Sequence, residues 1–223
     1  MAGGEGLRCR PLTATRPKPM LPVGGKPLLE ILIGQLVKAG CTTIFLNVRY
    51  LRRRIEEYFG DGAVGATIHY LREPKPYGTA GGLSLIPRDL RPDESFLVLN
   101  ADILTPLDFA AFRAFHVAEG NLLTLVGREH RVTIPYGYPL LRGDVVADFR
   151  EKPTFTYRVN SGIYCLEPSL LDWSRGPADM PDLIRHACAV GRVGLYPLDV
   201  PYHEIGTVES YQKAEAFHKE HMR

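Results

Sequence analysis

The chain has 223 residues, 45% hydrophobic and 23% charged, the proportions of a folded globular domain and not of a disordered segment. Its 27 Lys and Arg against 25 Asp and Glu leave a net charge of only +2, so no overall basic field exists for sequence-blind binding of nucleic acid or membrane. No run approaches the roughly 18 apolar residues of a spanning helix, and the amino terminus is glycine-rich and polar where a secretory peptide would be apolar. Cys9, Cys41, Cys165 and Cys188 are widely spaced and form no CxxC pair, which predicts reduced thiols and a cytoplasmic protein.

In chain order, the first feature is Gly3-Gly4-Glu5-Gly6-Leu7-Arg8-Cys9-Arg10-Pro11-Leu12-Thr13. It is no Walker loop, because no Gly-Lys-Ser/Thr ends it, and no dinucleotide fingerprint, because Cys9 stands where a third glycine belongs. Three glycines nonetheless free the backbone to wrap an anion with its N–H groups. Residues 1–27 carry five basic side chains against Glu5 alone, a net +4, and Pro17 and Pro19 stiffen the segment that presents Lys18. The segment reads as a local polyanion site. It arrives after only Met1 and Ala2, whereas glycine-rich phosphate loops normally follow a first central strand. The first strand is therefore expected to be missing, the chain having been cut or started late, or the sheet completed in another way.

Pro27 to Ala39 places Leu28, Leu29, Ile31, Leu32, Leu36 and Val37 at helical spacing and stops at Gly40, which predicts a sheet-covering helix. Strand-like runs follow at Thr43–Val48, Ala66–Leu71, Ser95–Leu99, Leu122–Val126, Gly162–Leu166 and Val193–Pro197, with helical stretches between them. That rhythm predicts βαβ units and an α/β fold with a mixed, mostly parallel sheet. Arg52, Arg53 and Arg54 look basic, but Arg52 with Glu56 and Arg53 with Glu57 are i,i+4 pairs, so a solvated helix face is expected there. Asp179 before Met180-Pro181 predicts a helix start. His218 and His221 lie three apart with no third ligand nearby, so no zinc site is predicted, and Trp173 beside Leu170 and Leu171 is expected to pack. No repeat or linker marks a second domain.

Asp102 follows the apolar run Phe96-Leu97-Val98-Leu99, which places it at the carboxyl end of a strand, where α/β sheets put ligands. A carboxylate there suits Mg²⁺, though an isolated strand-end Asp is more often a simple turn residue.

These blocks, taken together, resemble the nucleoside-triphosphate sugar-1-phosphate nucleotidyltransferases. The pattern runs from Gly3 to Met20 and continues through Gly24-Gly25-Lys26-Pro27-Leu28, Glu73-Pro74 with Pro76-Tyr77-Gly78-Thr79-Ala80-Gly81, Asn100-Ala101-Asp102, Pro135-Tyr136-Gly137, Glu151-Lys152-Pro153, Asn160-Ser161-Gly162 and Glu204-Ile205-Gly206. The guanylyltransferase and mannose-1-phosphate type is the nearest in pattern. The resemblance implies one catalytic domain over residues 1–223 with a Rossmann-like sheet covered by helices on both faces. It also implies a reaction in which a sugar 1-phosphate attacks the α-phosphate of a nucleoside triphosphate and pyrophosphate departs.

By the same resemblance, Ala2, Gly3, Gly4 and Gly6 would cradle phosphates, Arg8 would hold pyrophosphate, and Lys18 would stabilise charge at the α-phosphate. Glu73, Gly78 and Thr79 would face the base. Gly137, Glu151, Lys152 and Asn160 would bind the sugar phosphate, with Lys152 also counted among the catalytic residues. Asp102 and Glu204 would hold Mg²⁺, Glu204 standing where the family has Asp and Tyr202 where it has Trp. Glu73 favours GTP on chemical grounds, because an ionised carboxylate accepts from two adjacent donors and guanine offers N1–H and N2–H₂ side by side. The bland alternative for Glu73 is a surface pair with Lys75. Rival functions are a uridylyl- or thymidylyltransferase, or a catalytically weak nucleotide-sugar-binding subunit. The expected partners are small molecules, with no nucleic acid or membrane and a homo-oligomer left open.

Overall fold

The computed structural model describes residues 1–63, 65–173 and 175–222. Eight longer strands are β1 (Thr43–Val48), β2 (Ala66–Arg72), β3 (Phe96–Leu99), β4 (Leu123–Thr133), β5 (Tyr138–Arg142), β6 (Val145–Arg150), β7 (Thr154–Leu166) and β8 (Val193–Leu198). Five helices are α1 (Leu28–Lys38), α2 (Arg52–Phe59), α3 (Phe109–Ala118), α4 (Met180–Val190) and α5 (Val208–His221). All six strands and the helix expected from the sequence are present. No described helix is long and apolar enough to cross a membrane.

The strands form two main sheets. One has the order β8-β4-β7-β3; in the other, β2 lies between β1 and the two-residue strand Gly62–Ala63. Among the described residues β1 with β2 and β8 with β4 are parallel, while β4–β7, β7–β3, β5–β6 and three two-residue pairings are antiparallel. The sheet is thus mixed as expected, but mostly antiparallel by pairing. The physical reason is the segment between β4 and β7: it carries a β5–β6 hairpin and no crossover helix, so β7 returns antiparallel beside β4.

Helix α1 forms where the sequence places Leu28, Leu29, Leu32, Ile33 and Leu36 on one stripe, all buried in the core. Pro27 enters it in an extended conformation and Gly40, at φ 93°, ends it. Burying each such side chain stabilises the fold by about 1.5 to 3 kcal/mol before entropy is counted. Helix α3 is capped by Asp108, whose carboxylate accepts from Ala111 N–H at 2.9 Å, and buries Phe109 and Phe112, the Phe112 ring against Tyr196 of β8. Trp173 packs as expected, in the cluster of Leu123, Leu166 and Leu183 and beside the His186 ring. The α2 arginines are exposed, but Glu56 is taken by Arg72 of β2 at 2.8 Å, so the anticipated Arg52–Glu56 pair gives way to a tertiary one. The four cysteines are free thiols.

Beyond Gly127, β4 and β7 leave the core as a two-stranded ribbon, from Arg128↔Val159 to Thr133↔Thr154. Met1 to Gly3 run between the two sheets. Met1 donates from its amino group to Leu99 O (2.6 Å) and accepts from Ala101 N–H (3.2 Å), while Ala2 N–H donates to Asn47 O (2.9 Å). These rungs gather the carboxyl ends of β1, β2 and β3 around the glycine segment.

Candidate nucleotide and sugar-phosphate site

A cavity of about 340 Å³ opens at those strand ends. Its wall includes the expected residues Ala2, Gly3, Gly4, Lys18, Glu73, Gly78, Thr79 and Asp102. Gly4 is exposed, with space where a Cβ would stand, so its backbone is open to an anion. Gly6 turns the chain in a left-handed conformation, φ 62°, and the Thr13 hydroxyl donates to its carbonyl at 2.8 Å. Gly6 therefore shapes the loop from outside the cavity wall.

Lys18 and Asp102 touch through Nζ and Oδ2. The segment Pro17-Lys18-Pro19-Met20 explains the placement of the lysine: Pro17, Pro19 and Met20 are buried and hold the half-buried Lys18 against the cavity. Asp102 follows β3 and its Oδ1 is buried without a hydrogen-bond partner. A buried carboxylate oxygen in that state is costly and invites a cation or donor. Glu204 lies next door, because Ile205 N–H donates to Asp102 O at 2.8 Å and Glu204 pairs with Ile103. The Tyr202 phenol registers both: burial raises its pKa first, and the Glu204 and Asp102 carboxylates raise it further. Arg8 and Glu204 flank Gly206, where a Cβ would lie 3.7 Å from Arg8 Nη2 and 3.6 Å from Glu204 Oε1.

Among the described residues no group of three or more His, Cys, Asp and Glu gathers as a metal cage. The pair Asp102 and Glu204 is nevertheless a donor set suited to Mg²⁺, which takes one or two carboxylates and completes its shell with phosphate oxygens and water. The free Oδ1 of Asp102 fits that role.

Glu73 is buried at 7% exposure and does not pair with Lys75 at the surface. Its Oε1 accepts from Asn47 Nδ2 at 2.7 Å, and Oε2 stands 3.7 Å from Arg49 Nε. A Cβ on Gly3 would lie 3.2 Å from Oε2, so that oxygen sits close against the glycine segment. Asn47 and Arg49, both lining the cavity, are the residues sequence reasoning missed. The signal was present in Asn47, a polar residue inside the apolar run of β1.

Gly78 needs its lack of a side chain: at φ 76°, a Cβ would meet Ala178 O at 2.4 Å. Thr79 is bound to Asp179, which accepts from its N–H at 2.9 Å and its hydroxyl at 3.2 Å, and the same hydroxyl accepts from Met180 N–H at 2.8 Å. The predicted helix start at Asp179 is real, but its carboxylate holds Thr79 and makes no cap bond within α4.

The expected sugar residues lie on the ribbon side, outside the wall of this cavity. Glu151 and Lys152 are exposed, Lys152 with φ 44°. Gly137 lies under the Phe149 ring, 2.2 Å from where a Cβ would stand. Asn160 Oδ1 accepts from Gly162 N–H at 3.0 Å and its Nδ2 donates to the Tyr164 hydroxyl at 2.6 Å. Gly162 in turn abuts Asn100 of the cavity wall, which ties Asn160, at the base of the ribbon, to that wall.

The chain is similar to proteins of known family. The nucleotidyl transferase family model matches residues 1–221. The UTP–glucose-1-phosphate uridylyltransferase of Synechocystis is 35% identical over 196 residues, covering 78% of this chain and 49% of that protein. The mannose-1-phosphate guanylyltransferase of Mycobacterium tuberculosis is 36% identical over 178 residues, covering 77% and 49%. The chain thus spans about half the length of the curated relatives it matches. Among solved structures, HddC from Yersinia pseudotuberculosis superposes with a TM-score of 0.73 at 26% identity, covering 97% of this chain and 96% of that one. UDP-glucose pyrophosphorylase from Acinetobacter baumanii gives 0.74 at 16% identity, covering 97% and 90%, a likeness of fold. With a family model matched from end to end and relatives above one-third identity, the chain belongs to the nucleotidyl transferase family.

Proposed function

We propose that this chain binds a nucleoside triphosphate and a sugar 1-phosphate and transfers the nucleoside monophosphate, releasing pyrophosphate, with GTP as the preferred donor. The observation that carries the reading is the meeting of an open glycine backbone, Lys18, Asp102 and buried Glu73 in one cavity at the strand ends. Phosphoryl transfer of this kind needs positioning and charge neutralisation more than covalent help. The Gly3 and Gly4 backbone would cradle the phosphates. Lys18, a compact point charge on a rigid segment, would leave Asp102 to face the α-phosphate as charge grows there. Arg8 would fork onto the departing pyrophosphate. Glu151, Lys152, Asn160 and the Gly137 backbone would receive the sugar phosphate from the ribbon side.

Asp102 and Glu204 would hold Mg²⁺, which when bound would neutralise phosphate charge and orient the reacting groups. For the base, Glu73 presents Oε2 toward the glycine segment while Asn47 fixes Oε1. A carboxylate oxygen accepts two hydrogen bonds, so both can still receive the adjacent donors of guanine. The names of the relatives include both guanylyl- and uridylyltransferases, and Glu73 is the residue that favours the former.

Pyrophosphate release with Mg²⁺, five nucleoside triphosphates and a panel of sugar 1-phosphates tests the reading. Turnover with GTP and at least one sugar phosphate supports it. Tight nucleotide binding without turnover would favour a sensing subunit instead.

A further inference from the structure

Arg128 stands at the base of the ribbon, paired in register with Val159 and one residue beyond the pair Gly127↔Asn160. It is half-buried, and its guanidinium carbon lies 5.2 Å from the centre of the Tyr202 ring. Among the described residues its side chain makes no hydrogen bond or ion pair, and its Nε–H is buried without an acceptor. A partly desolvated cation in that state is costly and invites an anion. We infer that Arg128, carried on the Tyr202 ring, receives the phosphate of the acceptor sugar 1-phosphate, an inference that rests on the transfer reaction proposed above.

The place of Tyr202 says which phosphate this would be. Tyr202 stands two residues before Glu204, on the segment that pairs Glu204 with Ile103 and binds Ile205 N–H to Asp102 O. Its hydroxyl donates at 2.8 Å to the carbonyl of Ser161, the residue after Asn160. The ring therefore links the Asp102 and Glu204 carboxylates to the sugar side of the ribbon, and Arg128 lies on that link. A sugar 1-phosphate has to be held at such a junction. Its sugar would rest on the ribbon while a phosphate oxygen reaches the α-phosphate of the nucleotide beside Asp102.

The support suits an anion receptor. Besides the Tyr202 bond, the Ser161 hydroxyl donates at 2.7 Å to Val126 O, two residues before Arg128 on β4, so the ring is tied to both strands at the ribbon base. An arginine held over a fixed ring has less side-chain freedom left to lose when a ligand arrives. The ring face steadies the positive charge without competing for it as a carboxylate would. A guanidinium so placed keeps edge donors that can fork onto phosphate oxygens, which an ammonium cannot do. Lys152, exposed beyond the other end of the ribbon, has no recorded partner of this kind.

The test compares wild type with Arg128→Gln, which keeps the stem without the charge, and Arg128→Lys, which keeps the charge without the fork. A panel of sugar 1-phosphates is titrated calorimetrically in the presence of α,β-methylene GTP, a donor that cannot release pyrophosphate, and Tm is followed in parallel. For the sugar 1-phosphate that wild type binds, Arg128→Gln is expected to raise Kd by about 10- to 100-fold, the scale for losing a hydrogen bond to a charged group. Affinity for the GTP analogue should stay unchanged, and Tm should fall by no more than about 4 °C, the scale of one lost cation–π contact. Arg128→Lys should recover part of the loss. Tyr202→Phe, which keeps the ring face, should bind the acceptor as wild type does, and Tyr202→Leu more weakly; equal binding by these two would overturn the positioning role of the ring. Unchanged acceptor binding in a folded Arg128→Gln, an equal loss for the GTP analogue, no recovery in Arg128→Lys, or no sugar 1-phosphate bound by wild type would each overturn the assignment of Arg128. Acceptor binding that depends on Arg128 in a chain that releases no pyrophosphate from GTP would instead overturn the proposed transfer and leave Arg128 in its role.

Discussion

Replacing Glu73 with Gln removes one charge and turns one acceptor of the cavity wall into a donor. Asn47 Nδ2 donates to Oε1 at 2.7 Å, so the glutamine carbonyl will take that place and the amide NH₂ will stand where Oε2 now lies, near Gly3 and 3.7 Å from Arg49 Nε. Guanine would then meet a donor with its own N–H groups. One or two buried donors left unpaired cost about 1 to 3 kcal/mol each, and about 1.4 kcal/mol is a factor of ten. The variant should therefore lose from about 5-fold to on the order of 10⁴-fold in kcat/KM for GTP, while UTP and dTTP, whose carbonyl oxygens a carboxylate repels, should lose less or gain. The assay is kcat/KM for GTP, UTP, dTTP, CTP and ATP with one accepted sugar phosphate, in wild type and Glu73→Gln. Circular dichroism checks that the buried substitution has not unfolded the chain. If UTP or dTTP beats GTP in the wild type, the guanine assignment is wrong.

Lys18→Ala should lower kcat by about 10² to 10³ with little change in Tm, the scale for losing one stabiliser of transition-state charge; a change confined to KM would make Lys18 a ground-state binder. Glu204→Asp shortens an exposed side chain beside Asp102 and should leave activity unharmed or raise it, read as rate against Mg²⁺ concentration; a tenfold loss would show the site is built around the longer residue. The Met1 amino group is enclosed, and desolvation lowers its pKa from 8.0 to about 6 against the opposing pull of Asp102 and Glu73. Between those values the unfolded chain binds more protons than the folded one, so stability should rise from pH 6 to pH 8, by on the order of 2 kcal/mol, and fall as the pH is lowered through that window. Urea melts of the native and Nα-acetylated chains at both pH values isolate this group; an identical pH dependence in the two would contradict the assignment.

The elements legible in the sequence were those whose apolar residues carry a period. The run Phe96-Leu97-Val98-Leu99 and the stripe of α1 each appear where the pattern puts them. The ribbon was missed although half of it carries a period: Thr154 to Asn160 alternates polar residues with Phe155, Tyr157 and Val159, whereas its partner Arg128 to Thr133 is polar apart from Val132 and owes its strand to that pairing. The parallel expectation failed because the rhythm of strands hides whether a helix or a hairpin joins two of them. In the site, Gly3, Lys18, Glu73 and Asp102 were recognisable one by one, and folding brings them to one wall. Asn47, Arg49 and Asp179 act on Glu73 and Thr79 from 26, 24 and 100 positions away in the chain, pairings that no local pattern announces.

The proposed chemistry depends above all on Asp102, the carboxylate at the end of β3 with one buried oxygen free. The direct measurement is pyrophosphate release by wild type and Asp102→Ala under saturating GTP and sugar 1-phosphate with Mg²⁺, alongside Tm. The variant should lose at least about 10³-fold in rate with its fold retained, because Asp102 meets the cavity and not the core. Wild-type rates in the variant, with its fold intact, would contradict it.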